Sequence, residues 1–117
     1  MLNYEEFLRS YWDNTQKSMD NQNPLLIKEF FSEDAIYQFR TNEGMLTVNI
    51  DDMIQSTLGY KEEQDLPIKI ERIEKLENGT FLTIAFASVS GSPYFVTSFF
   101  KIENNKIKEL VEYYGDC

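Results

Sequence analysis

Few residues in this chain of 117 can run chemistry. There is no histidine, and the single cysteine, Cys117, is the last residue. Zinc and iron sites therefore lack their usual imidazole and thiolate ligands, and the expectation is no metal and no cofactor. Ser98 has no histidine or lysine beside it to act as a base, so it is no activated nucleophile, although its hydroxyl can hydrogen-bond a ligand. The five glycines stand singly in turns or caps, so no phosphate-cradling loop exists. What remains are carboxyls and phenols, among them Glu112, Tyr11 and Tyr37, which stand out only once the elements that carry them are turned toward one pocket. A buried carboxyl with a raised pKa can serve as acid or base near neutrality, and a phenol can donate to a ligand oxygen. Each also has a plainer and commoner role. A tyrosine fills core with its hydroxyl satisfied, and a glutamate sits solvated or paired with Lys or Arg.

Composition sets the frame for these groups. The net charge is −9, from 20 acidic and 11 basic residues, with no basic stripe. That argues against nucleic acid and against anionic membranes as partners. Asp51-Asp52 and Glu62-Glu63 read as helix N-terminal charge and a solvated loop rather than a metal cluster. Nine Phe, seven Tyr and one Trp are enough to fill a core or line a pocket. The N-terminus, MLNYEEFLRSYW, carries acids where a signal peptide has positive charge, and no apolar run reaches membrane-spanning length. With no cysteine pair to oxidise, a cytoplasmic location is expected.

Periodicity indicates the elements that must position the candidates. Tyr4, Phe7, Leu8, Tyr11, Trp12 and Met19 form one stripe of an amphipathic helix over Asn3–Met19, on which Trp12 points away from Tyr11 and packs under the sheet. Asn23-Pro24 opens a short helix over Leu25–Phe31. Ala35–Arg40 alternates as a strand, with Tyr37 and Phe39 on one face, followed by a turn at Thr41–Gly44. Asn49 starts a third helix with Ile50, Met53, Ile54 and Leu58 inward, and Gly59 is its C-terminal cap. Tyr60–Leu66 reads as an exposed, mobile connection. After Pro67 the period falls to two, with a bulge expected near Arg72. Asn78-Gly79, Ser90–Pro93 and Asn104-Asn105 divide the rest into a four-stranded antiparallel meander. No linker or repeat interrupts it, so residues 1–117 read as one domain.

The order helix, short helix, strand, helix and meander resembles the nuclear transport factor 2-like superfamily, which includes SnoaL-like proteins and ketosteroid isomerase. The stretches that carry the resemblance are Phe31-Ser32-Glu33-Asp34-Ala35-Ile36-Tyr37 and Asn105-Lys106-Ile107 leading to Glu112-Tyr113-Tyr114-Gly115-Asp116. It implies a cone-shaped α+β, cystatin-like fold, with N-terminal helices packed on a curved antiparallel sheet around a pocket. By comparison with ketosteroid isomerase, the helical tyrosine falls on Tyr11, the general base on Phe39 and the oxyanion-hole acid on Ser98. Phenylalanine cannot abstract a proton, so that activity is excluded. The comparison turns Ser98, Phe100, Ile102, Leu110, Glu112 and Tyr114 to the pocket. It turns Phe95, Thr97, Phe99, Val111 and Tyr113 outward.

On the next strand Thr83, Ala85 and Ala87 are small, while Leu82, Ile84 and Phe86 are large. If the small set lines the pocket, the outer face is too apolar for water, and a homodimer through that face is expected. The fold alone does not select a function. Three readings follow. One is a protein binding a small apolar or aromatic molecule through Tyr11, Tyr37, Phe39, Ser98, Phe100, Leu110 and Tyr114. A second is an isomerase, cyclase, hydrolase or dehydratase with Glu112 as acid or base. The third is a homodimeric interaction module with no ligand.

Overall fold

The structure is a computed structural model and describes residues 3–116; Cys117 lies outside the described residues. The first helix, α1 (Tyr4–Asn21), starts where the Asn3 side chain accepts the Glu6 amide at 3.2 Å, with Glu5 and Glu6 in its first turn. Its buried stripe contains Leu8, Tyr11, Trp12, Thr15 and Met19. It ends at Gln22, in the left-handed region at φ 53°, and the Asn23 amide returns to the Ser18 carbonyl at 3.0 Å.

A short helix, α2 (Leu25–Lys28), is followed by strand β1 (Phe31–Thr41). The second helix is thus shorter than its apolar residues suggest. Phe31 begins the sheet, because the Phe30 carbonyl accepts the Ile107 amide at 2.7 Å and Phe31 is buried there. Strand β2 (Gly44–Val48) was not anticipated; Met45-Leu46-Thr47-Val48 shows no apolar–polar alternation, and only pairing with β1 makes it a strand.

Helix α3 (Ile50–Gly59) has the expected cap, with the Asn49 side chain accepting the Asp52 amide at 2.8 Å. Gly59 does not terminate it in a left-handed turn. Gly59 has φ −65°, and the helix continues as a 3-10 turn over Tyr60–Glu63. The connection expected at Tyr60–Leu66 is therefore ordered structure. Gln64 already belongs to β3 (Gln64–Lys75) and exchanges reciprocal amide hydrogen bonds with Gln16 of α1.

Strands β4 (Thr80–Val89), β5 (Ser92–Glu103) and β6 (Lys106–Asp116) complete the meander. Its turns have paired positive φ values at Asn78-Gly79, Ser90-Gly91 and Asn104-Asn105, the geometry that matches the right-handed twist of hairpin strands. The register slips between Ile70 and Arg72, where the bulge was expected. The six-stranded sheet has the order β2-β1-β6-β5-β4-β3. It is not wholly antiparallel: β1 runs parallel to β6, while every other neighbour is antiparallel. Pro67, which cannot donate to a ladder, sits on the edge strand β3.

The concave face meets the helices. Phe81, Phe100 and Leu110 are buried there, with Tyr11 edge-on to Phe100 at 5.3 Å and Tyr4 stacked on Phe81 at 5.0 Å. Thr83, Ala85 and Ala87 share that buried face. On the convex face Phe86 meets Phe95 at 5.8 Å and Phe99 meets Tyr113 at 5.9 Å. Among the described residues no helix is long and apolar enough to cross a membrane.

Candidate functional site

Register builds the site. Phe39 of β1 lies opposite Glu112 of β6, Glu112 opposite Ser98 of β5, and Ser98 opposite Thr83 of β4. Because side chains alternate along each strand, these four share one row across the concave face. Ser98 donates to Glu112 Oε2 at 2.7 Å. Tyr37 donates to Oε1 at 2.8 Å, and Tyr114 reaches the same oxygen at 3.1 Å. The Tyr37 and Tyr114 hydroxyls are 3.0 Å apart. One carboxyl is thereby held by three hydroxyls, and it has no ion-pair partner among the described residues.

Glu112 is 6% exposed, so it is neither a solvated rim carboxylate nor paired with a cation. Burial pushes its carboxyl above the ordinary carboxylate range, and the hydroxyls of Ser98, Tyr37 and Tyr114 pull it partly back. Burial likewise raises the phenols of Tyr37 and Tyr114, and the neighbouring Glu112 charge raises them further. These phenols stay protonated over the physiological range and act as donors.

The space beside this network has two compartments. An inner chamber of about 70 Å³ is lined by residues that include Tyr11, Trp12, Ala85, Ala87, Val96 and Glu112. An outer cleft of about 570 Å³ includes Tyr37, Phe39, Arg40 and Val48. Met53, Thr57, Tyr60, Val89, Tyr94 and Tyr114 belong to both walls, so the two spaces adjoin there.

The residues expected at the pocket thus divide. Tyr11, Glu112 and Tyr114 line the inner chamber, and Tyr37 and Phe39 line the outer cleft. Ser98, Phe100 and Leu110 face the same side but touch neither compartment. All three are essentially inaccessible, at 0–1% exposure. The physical reason is that the α1 aromatics lie directly on them: Tyr11 covers Phe100, while Ser98 is spent on the carboxylate beneath the chamber wall.

Trp12 packs against the sheet as expected, its indole N–H donating to Thr83 at 3.0 Å, and its ring also forms part of the chamber wall, a role the sequence reading did not assign. Met53, Thr57, Tyr60 and Tyr94 were absent from the sequence-derived set. The apolar stripe of the third helix contained Met53, but nothing local shows that this stripe leaves a gap beside β4.

Tyr11 is the one phenol of the inner wall that is deeply buried yet uncommitted. It is 3% exposed, and its hydroxyl makes no hydrogen bond within normal distance and angle to any described residue. Among the described residues no side-chain oxygen is both fully occluded and unpartnered, so this hydroxyl opens onto the chamber. Burial raises its pKa, as does the Glu112 charge, with a partial offset from the nearby Thr15 hydroxyl, whose own proton goes to the Tyr11 carbonyl at 2.7 Å and which meets the Tyr11 hydroxyl outside normal hydrogen-bond geometry. Chemically the site offers a free donor at Tyr11 and a buried carboxyl at Glu112. Among the described residues no group of three His, Cys, Asp or Glu side chains gathers where a metal could bind.

No family model matches the sequence, and no curated protein matches it. Solved structures do match in shape. An NTF-2 like protein of unknown function from Burkholderia xenovorans LB400 superposes with a TM-score of 0.72 at 16% identity, over 97% of this chain and 86% of that one. An LEH-like epoxide hydrolase from M. tuberculosis gives 0.64 at 12% identity, over 93% and 80%. A de novo designed protein with a curved β-sheet gives 0.66 at 12%, over 97% and 87%. Natural and designed chains alike share this shape at low identity, so the likeness speaks to architecture and not to activity. The chain has the nuclear transport factor 2-like fold, a helix-covered curved sheet of α+β class.

Proposed function

We propose that this protein binds a small, mainly apolar molecule carrying one oxygen function, and that Glu112 acts on it as proton donor or acceptor. The observation that carries this reading is the pairing, on one chamber wall, of a buried carboxyl lacking a cation with an unpartnered buried phenol, Tyr11. A carboxyl placed only for stability is more economical at the surface, whereas one whose pKa is raised by burial holds its proton to higher pH and can give or take it. Ser98 and Tyr37 act through Glu112 and are positioning residues. The fold hosts an epoxide hydrolase elsewhere, which makes acid–base chemistry compatible with this architecture.

Native mass spectrometry of the purified protein tests binding, and Trp12, the only tryptophan, reports occupancy by fluorescence. A retained molecule that quenches Trp12 is expected, with Glu112→Gln keeping its binding and losing its turnover. Binding and turnover both unchanged in Glu112→Gln would remove the acid–base role. No adduct, and no Trp12 response to a panel of aromatic and alicyclic compounds, would remove the binding role as well.

Self-association is a second reading, favoured by the convex face. Phe95 is 37% and Tyr113 42% exposed there, beside half-buried Phe86 and Phe99. Two copies packed through this surface would shield it, and light scattering should return twice the 13.8 kDa chain mass. A monomer throughout the micromolar range would rule that out. A cytoplasmic location accords with a chain whose one cysteine is terminal.

A further inference from the structure

We infer that the ligand enters in two parts, a neutral head the size of one six-membered ring in the inner chamber and a longer apolar tail in the outer cleft, with Ala85 and Ala87 setting the size of the head. This rests on the small-molecule reading above and narrows it to a ligand class. The volumes differ by nearly an order of magnitude, about 70 against about 570 Å³. One water needs roughly 10–15 Å³ of such space, so the chamber holds about half a dozen heavy atoms. The cleft is in the range of drug-sized sites.

Charge narrows the head further. Among the described residues Glu112 is the only Asp, Glu, Lys or Arg on the inner wall. An anionic head would be buried without a counter-ion. An ammonium head would shed its hydration in a mainly apolar chamber for one carboxyl that already accepts three hydrogen bonds and has about one lone-pair site left. A neutral carbonyl or hydroxyl oxygen finds the free Tyr11 donor instead.

Size is set on β4. Ala85 is 0% and Ala87 7% exposed, and both belong to the chamber wall. Leucine at position 87 would place three more heavy atoms in a space for about six.

Five probes read by Trp12 fluorescence test the idea: cyclohexanone, 4-phenylcyclohexanone, 2-decalone, cyclohexylamine and cyclohexanecarboxylate. At pH 7, 4-phenylcyclohexanone should bind at least about tenfold more tightly than cyclohexanone or the fused-ring 2-decalone. The amine and the carboxylate should bind at least about tenfold more weakly than cyclohexanone. Ala87→Leu should lose about tenfold or more for 4-phenylcyclohexanone, while Ala87→Ser, which keeps the space, stays within about twofold.

If Ala87→Leu fails to fold, the comparison of 2-decalone with 4-phenylcyclohexanone on the unmodified protein still decides. Equal binding of the fused ring, or of either charged head, would overturn the two-part ligand while leaving small-molecule binding intact. Silence of Trp12 toward all three ketones at millimolar concentration overturns it too. Native mass spectrometry of a retained molecule then judges the broader reading separately.

Discussion

Two neighbouring rows of the concave face, built by the same strands, behave in opposite ways. In one row Tyr37, Leu110, Phe100 and Phe81 stand side by side; the last three are buried in the core, and Tyr37 at the row's end reaches the outer cleft. In the next, Phe39, Glu112, Ser98 and Thr83 stand side by side, polar in three places of four. One step further along β4 come Ala85 and Ala87, and there the chamber opens. Backbone and twist are continuous across these rows. Small side chains at Ala85 and Ala87 leave space under the helices where the neighbouring row fills it, and the polar row between them holds the buried carboxyl.

The strongest test of this contrast is Phe100→Ala, which should cost about 3–5 kcal/mol in denaturant unfolding, because the ring is completely buried under Tyr11. If the loss were under 1 kcal/mol by a chevron or equilibrium melt, roughly the size of an exposed substitution, the packed row would not be the structural core. Ser98→Ala should cost about 1–3 kcal/mol at neutral pH, since it removes a donor from a buried carboxyl oxygen. A neutral effect there would mean that water replaces the hydroxyl, and that the polar row is wetter than its 0% exposure at Ser98 implies.

Smaller and pH-dependent is the effect of Glu112→Gln. The folded Glu112 pKa is raised above its ordinary 4.5, so the folded state binds this proton more tightly than the unfolded chain does. Its contribution to stability is present below the unfolded pKa and is lost as pH rises through the folded pKa. Glutamine does not titrate. The melting temperature of Glu112→Gln relative to the native protein should therefore climb as pH increases from about 4.5, the ordinary value, toward the folded pKa, and level off above it. A flat difference across that interval would show that hydrogen bonding has fully offset burial.

Much of this was legible one residue at a time. The stripe Leu8, Tyr11, Trp12 and Met19 demanded an amphipathic helix, the paired turn residues demanded hairpins, and the Asn49 cap is where local chemistry places it. Alternation was enough to assign Thr83, Ala85 and Ala87 to one face, because a strand has only two. Short elements without a period were not legible. The four residues Met45 to Val48 become a strand only beside β1, and Phe31 leaves its helix only because β6 offers a partner.

The site divides along the same line. The sequence by itself determined which groups were available: Glu112 among the carboxyls of the last strand, the phenols of Tyr11, Tyr37 and Tyr114, and no histidine to compete with them. Only the tertiary structure decided what they do. Tyr37 and Ser98, 75 and 14 residues from Glu112, reach its two oxygens through strand register. Tyr11 is left free through its place on α1, and Trp12 enters the wall by finding Thr83, 71 residues away. The reason is physical: hydrogen bonding and desolvation act over a few ångströms in space, and distance along the chain carries no information about them until the sheet has closed.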